Sequence, residues 1–384
     1  MPRHPEIAPA TTAMSSSLFS KLADRIQKIE GDRFALHVGD TWLQPADGAR
    51  MEDFRAAEHP GLNRYTVPHG HPRLIEAIVR RREVEASRVL VTAGATGGLG
   101  AIAGALLAPG DEVLVLAPFW PLIRGIVLSG RGLPVQIPFY DRLSKDPGRA
   151  VQQVDEILTA GLSPRSVALY VNTPNNPTGR VLPPEVLAAI ADFARRHNLW
   201  LWSDEVYEDY AWARPHQGIA PYAPERTFEV YSFSKAYGMA GNRCGYIVGP
   251  EDSAVMEAVR KISTHTFYSA PTAAQLAAAQ VLNLGADWLA EANQSYRSAG
   301  IQAAEALGLP PPEGGTFLFI DVSSRLDDRG LQGFLEDCID RGLILAPGTS
   351  CGDDYPGHVR LCFTCEPPDV VARGVAVLAD ILSD

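Results

Sequence analysis

The chain has 384 residues, 46% hydrophobic and 21% charged, which describes a globular protein with more material than one simple core needs and predicts two domains. Its 34 Lys and Arg stand against 45 Asp and Glu, a net charge of -11 that disfavours nucleic acid or an anionic membrane as partner and points to small molecules. The polar, Pro-, Ser- and Thr-rich opening lacks the apolar core of a signal peptide, no later apolar run is long enough to cross a bilayer, and the 5 cysteines form an odd set. A cytoplasmic protein without a disulfide framework is expected.

From about residue 85 to 250, short β-rich runs alternate with helix-like ones. RVLVTAG precedes GGLGAIAGALLA; then come DEVLVLAP, SVALYVN with the helix-like PPEVLAAIADFARRH, LWLWSDE, FEVYSFS and CGYIVG. This alternation predicts an α/β fold whose mostly parallel central sheet is flanked by helices. The continuous apolar runs suit strands buried on both faces. Residues 251 to 305 read as helices, one with Pro271 near its first turn. From 316 the pattern becomes a strand at TFLFIDV, a helix at GLQGFLEDCIDRG, strands at LILAP and HVRLCFT, and a last helix from Pro368. The expected division is a large domain over residues 46–284 and a smaller α/β domain built from 1–45 and 285–384.

In such sheets ligands collect at the carboxyl ends of the strands, so the residues directly after each run are the candidates for chemistry. In Thr92-Ala-Gly-Ala-Thr-Gly-Gly98, backbone N–H groups and the Thr96 hydroxyl would make half of a phosphate cup; a plain tight connection is the other reading. Two prolines in Asn172–Gly179 would hold Asn176 rigid, although the same residues are good turn formers. After LWLW, Asp204 could pair with a protonated ring nitrogen of a cofactor and Tyr207 with a ring oxygen, while Glu205, Glu208 and Asp209 read as solvated or structural charges. Lys235 lies in Ser232-Phe-Ser-Lys-Ala-Tyr-Gly-Met-Ala-Gly-Asn-Arg243. A lone lysine is usually solvated, but one at a strand end in a cleft loses its proton more readily and can form an imine. Ser232, Ser234 and Arg243 around it suit a phosphate dianion. Arg360 is either an exposed strand charge or a bidentate clamp for a carboxylate.

In order and spacing, NTPNNPTG, SDEVYEDY, SFSKAYGMAGNR and HVRLCF resemble the class I/II aminotransferases, aspartate aminotransferase-like enzymes of pyridoxal-phosphate (PLP) fold type I, from about residue 36 to the C-terminus. The resemblance implies pyridoxal 5'-phosphate as cofactor, an α-amino acid and a 2-keto acid as substrates, and a homodimer with shared active sites. It makes Lys235 the imine lysine and proton carrier, Asp204 the partner of the pyridine nitrogen, and Tyr207 and Asn176 the ligands of the ring oxygen. Ala95, Thr96, Ser232 and Arg243 would hold the phosphate, Trp120 would stack on the ring, and Tyr65 would reach the phosphate of the neighbouring subunit. Gly39, Asn176 and Arg360 would contact substrate, Arg360 as the clamp on its α-carboxylate.

Trp42 and Tyr268 are expected to shape the side-chain pocket and to favour an apolar or aromatic substrate, with core or interface packing as the alternative. One aspartate-specific subgroup carries lysine where this chain has Thr96, so a dedicated aspartate enzyme is not expected. His69 and His71 flank Gly70 near Tyr65 and are either substrate contacts or surface histidines. Cys362 and Cys365 read as strand thiols rather than metal ligands, because a second ligand pair at the usual spacing is missing. A PLP lyase or cyclase on the same fold would share every residue that activates Cα. A non-enzymatic sensor would need an appended helix-turn-helix, for which the polar N-terminus is too short.

Overall fold

The computed structural model describes residues 6–14, 22–144 and 146–383. Parts of the N-terminal segment assigned to the small domain, residues 1–5 and 15–21, lie outside the described residues. Seven strands form the larger sheet: β1 (Val89–Thr92), β2 (Glu112–Ala117), β3 (Leu133–Pro138), β4 (Ser166–Asn172), β5 (Trp200–Asp204), β6 (Thr227–Ser232) and β7 (Gly245–Val248). Their spatial order is β1-β7-β6-β5-β4-β2-β3. Strands β3, β2, β4, β5 and β6 pair in parallel, and β7 runs antiparallel to both β6 and β1. The mostly parallel α/β sheet read from the alternation is therefore the one the chain forms.

The apolar runs are explained by a core on each face. Val113 and Val115 of β2 point into one core with Leu99, Ile102 and Val259, while Leu114 and Leu116 between them point into the other with Val154, Leu187 and Ile190. A strand sandwiched in this way has no polar face to alternate with. Burying each such side chain is worth roughly 1.5–3 kcal/mol.

Between the apolar runs of the sequence the chain also forms β3 and the helix Pro147–Thr159. Pro134 and Pro138 interrupt the β3 pattern, and they are tolerated because β3 is an edge strand that pairs with β2 alone. The helix begins where Asp146 accepts from Arg149 N at 2.8 Å, a cap with proline at the first helical position.

Beyond three helices at Ser253–Thr266, Thr272–Leu284 and Ala286–Ala306, a second, antiparallel sheet has the order β8 (Phe317–Asp321), β10 (His358–Cys362), β9 (Ala346–Pro347). Pro271 stands at the N-cap of the middle helix. The LILAP run contributes two strand residues to this sheet, and Leu343 at its start bridges to Phe34. Leu22, Phe34 and Leu36 share one apolar core with Leu318, Ile339, Leu361 and Leu378. Among the described residues no helix is long and apolar enough to cross a membrane.

Candidate active site

Pairing, parallel between β4 and β5 and antiparallel through β7, brings the ends of four strands to one edge of the large sheet. Asn172 pairs with Asp204, and both Thr92 and Ser232 pair with Gly245. Above this edge lies a cavity enclosing about 590 Å³ of empty space, part of it open to solvent. Ala95, Thr96, Trp120, Asn176, Asp204, Tyr207, Ser232, Lys235 and Arg243 all line it, as do Asn172, Val206, Ser234 and Ala240. The sequence reading had not assigned Asn172, although it ends a strand. Its amide donates to Asp204 O at 2.9 Å and its Oδ1 accepts from Asn176 N at 2.7 Å, so it fixes the loop that carries Asn176.

Asp204 is 3% exposed, and burial pushes its carboxyl up to about 6 against the opposing effect of a hydrogen bond from Tyr170. Such a group gains by meeting a cation. Tyr207, buried and hydrogen-bonded to Asn176 Nδ2 at 3.4 Å, stands beside it, and burial holds the phenol well above its usual range, so it stays a neutral donor.

At the other end of the cavity the helix Gly94–Leu106 begins without any side-chain cap. Its first N–H groups are the donors a helix start offers to an anion. Gly94 has φ +70°, and a Cβ there would sit 2.6 Å from Arg243 Nη2, so the absence of a side chain lets the guanidinium lie against the helix start. Arg243 itself adopts a left-handed backbone and donates to Ala240 O at 2.9 Å.

Lys235 reaches between these two ends. Burial lowers the pKa of its amine, with the Arg360 and Arg243 charges adding to the effect and Asp40 opposing it. The amine donates to the Gly39 carbonyl, and Tyr210 OH holds the Lys235 backbone carbonyl at 2.8 Å. From the second sheet, Arg360 donates to Asn176 Oδ1 at 3.0 Å and to His37 O at 3.1 Å. Its guanidinium lies 4.3 Å from the Phe317 ring centroid, and its Nε is buried without a hydrogen-bond partner.

Tyr65, expected at the neighbouring subunit's phosphate, and Tyr268, expected in the side-chain pocket, do not line this cavity, and Trp42 lies beside it. Tyr65 is 89% exposed and packs against Tyr268, itself 40% exposed, with ring centroids 5.1 Å apart. Trp42 joins Tyr207, Phe317 and Cys362 in an apolar cluster beside the cavity, its backbone N–H donating to Thr364 O at 2.8 Å. His71 caps the helix Pro72–Arg82, its Nδ1 accepting from Arg73 N at 3.3 Å, which gives it a structural task.

The donor set fits pyridoxal phosphate. An acid at the sheet edge suits a pyridine nitrogen, an uncapped helix start with Arg243 and Ser232 suits the phosphate, and a buried amine with lowered pKa lies between. Trp120 supplies an aromatic wall.

The profile of the family "Aminotransferase class I and II" matches residues 37–378. A probable aspartate/prephenate aminotransferase of Thermus aquaticus is 33% identical over 346 residues, 86% of this chain and 87% of that protein. The aspartate/prephenate aminotransferase of Thermus thermophilus is 33% identical over 348 residues, 86% of each chain. The solved structure of Thermus thermophilus aspartate aminotransferase with maleate is similar at TM-score 0.85 and 30% identity, covering 98% of this chain and 100% of that one.

Proposed function

Because the chain belongs to the class I and II aminotransferases, we propose that this aminotransferase holds pyridoxal 5'-phosphate in the cavity around Lys235 and uses that lysine as its proton carrier. The observation that supports this most is the convergence of a buried amine, a buried acid and an anion-binding helix start on one cavity.

Pyridoxal phosphate, when bound, supplies an electron sink for the negative charge that develops at a substrate Cα. Asp204 would balance a positive ring nitrogen, Tyr207 and Asn176 would bond the ring oxygen, and Ser232, Arg243, Ala95 and Thr96 would take the phosphate. Lys235, its pKa lowered by burial, is available as a neutral amine that takes a proton from the substrate Cα and returns one on the reverse course. Arg360 binds the α-carboxylate, with its orientation fixed by Asn176, His37 O and the Phe317 ring.

The side-chain pocket is read as apolar or aromatic, with Trp42, Phe317 and Tyr207 clustered beside the cavity and the uncharged Thr96 lining it. The exposed Tyr65 and Tyr268 pair supports a homodimer in which each protomer completes its partner's site. The shared core of Leu22, Phe34 and Leu36 with Leu318 and Leu378 supports a small domain built from both chain ends and divided from the large one near residue 285. Five free cysteines suit a reducing compartment such as the cytoplasm.

The test is a panel of amino donors and 2-keto acid acceptors with the cofactor-loaded protein. Stoichiometric release of the matching keto acid, with turnover only when an acceptor is added, is the expected result; ammonia or a cyclised product formed from the donor alone would overturn it.

A further inference from the structure

Strand β4 places Tyr170 opposite Trp202 and two residues before Asn172, so its ring stands on the same side of the sheet as Asp204. The ring is 1% exposed and lies in the apolar core with Val115, Trp202 and Phe228. A phenylalanine would fill this space with no hydroxyl to desolvate, so the phenol oxygen needs a partner that repays its burial. It has one: Tyr170 OH donates to Asp204 Oδ2 at 2.6 Å. The other oxygen, Oδ1, accepts only a long contact of 3.4 Å from Val206 N. A carboxylate held by one oxygen has its rotation fixed and its second oxygen assigned.

Charged and titratable groups surround this acid from several elements. Glu205 follows it just past the end of β5, Tyr207 stands on the same loop, Tyr140 lies beyond β3, and Lys235 and Arg243 face the same cavity. Glu205 turns its carboxylate to Ser203 Oγ, at 2.5 Å, and to His216, away from Asp204's partner. Tyr140 OH donates to Asn172 O at 2.7 Å. Tyr207 is engaged with Asn176.

We infer that Tyr170 is a positioning residue for the amino-transfer reaction: its hydroxyl fixes the rotation of the Asp204 carboxylate and keeps its negative charge, leaving Oδ1 to meet a cation in the cavity. The inference rests on the cofactor reading above, which supplies that cation as a ring nitrogen. Nothing in the four motifs assigns Tyr170, since it lies inside an apolar run that reads as plain core.

The test compares the cofactor-loaded parent with Tyr170→Phe. Three quantities are followed against pH: the visible absorbance of the bound cofactor, its dissociation constant, and kcat/KM. Without the hydroxyl, Asp204 takes up a proton at higher pH, so the acid-side midpoints are expected to rise by about one to two units, the size a hydrogen bond to a charged group supports. Cofactor affinity should weaken ~10-fold or more near pH 6 and much less near pH 8. In an Asp204→Asn background the same Tyr170→Phe change should move no midpoint, because the group it acts through is gone. Tyr170→Met is a second variant without a donor, should move the midpoints in the same direction, and carries the test if the phenylalanine variant does not fold. Superimposable profiles for parent and Tyr170→Phe, or a shift that persists with Asp204→Asn, overturn the inference. A parent that binds no cofactor would overturn the functional reading itself, and is recognised before any variant is compared.

Discussion

Arg360 Nη1 donates to Asn176 Oδ1 at 3.0 Å, tying β10 of the small sheet to the loop that follows β4 of the large one. One arginine thus reports on the alignment of both parts of the chain at the cavity. Its planar fork is what lysine cannot reproduce. Arg360→Lys is expected to lower kcat/KM for amino acids by ~10–150-fold, the range of a charged hydrogen bond, mostly through KM. Cofactor affinity should change little. A substrate analogue lacking the α-carboxylate should lose as much with the parent and nothing further with the variant; an additive loss would remove the clamp assignment.

Lys235→Ala is expected to lose ~10²–10⁴-fold or more in turnover, the contribution of a positioned acid–base group. Lys235→Arg should be equally inactive, because a guanidinium keeps the charge but does not give up its proton. Steady-state assays with each variant after equal cofactor loading check this, and an arginine variant near parental activity would show that charge rather than proton transfer matters.

Asp204 has a stability consequence in the cofactor-free protein. Its folded pKa of about 6 lies above the ordinary 3.8, so the folded state binds the proton more tightly and ionisation costs stability. The cost is absent well below pH 4, grows through the window between 4 and 6, and is complete above it. Asp204→Asn removes that cost and keeps an oxygen for Tyr170. Cofactor-free Asp204→Asn is expected to exceed the parent by up to ~3 kcal/mol at pH 7.5 and to match it near pH 3.5. Urea unfolding at the two pH values measures the difference, and a variant less stable at pH 7.5 would contradict it.

The Tyr65 and Tyr268 pair gives a test of the shared site. If Tyr65 serves the partner's cavity, Lys235→Ala and Tyr65→Ala protomers are each impaired, yet a mixed dimer has one site with both changes and one with neither. Random reassortment of equal amounts should restore about a quarter of parental activity in a closed two-fold dimer. Activity no higher than the mean of the separate variants would place Tyr65 in its own protomer's work.

The cavity's lining was legible because it is written at strand ends, where short polar motifs interrupt apolar runs: Asp204 after LWLW, Lys235 after FEVYSFS. Tyr170 was not, since a buried aromatic in a strand looks like packing until its hydroxyl is seen beside Asp204. The β3 strand was hidden by Pro134 and Pro138, which local rules read as breakers and which an unpaired edge accommodates. Tyr65 was grouped with the site by resemblance and Tyr268 as a wall of the side-chain pocket, and neither lines the cavity of a single protomer. Position between subunits has no signature in a local pattern.

The Gly39 carbonyl that accepts from Lys235 belongs to a stretch with several other attachments. Phe34 N donates to Gly342 O at 2.8 Å, Leu36 O accepts from Cys362 N at 2.8 Å, and Asp40 O accepts from Thr364 Oγ1 at 2.7 Å. These few residues form a seam that stitches the chain's beginning to its end and closes on the lysine. Trimming the N-terminus past Phe34 would therefore unpick the small sheet's border and the lysine's restraint in a single cut. The limit for any shortened version lies earlier still, because Leu22 already belongs to the small sheet's core and Arg25 is paired with Asp340.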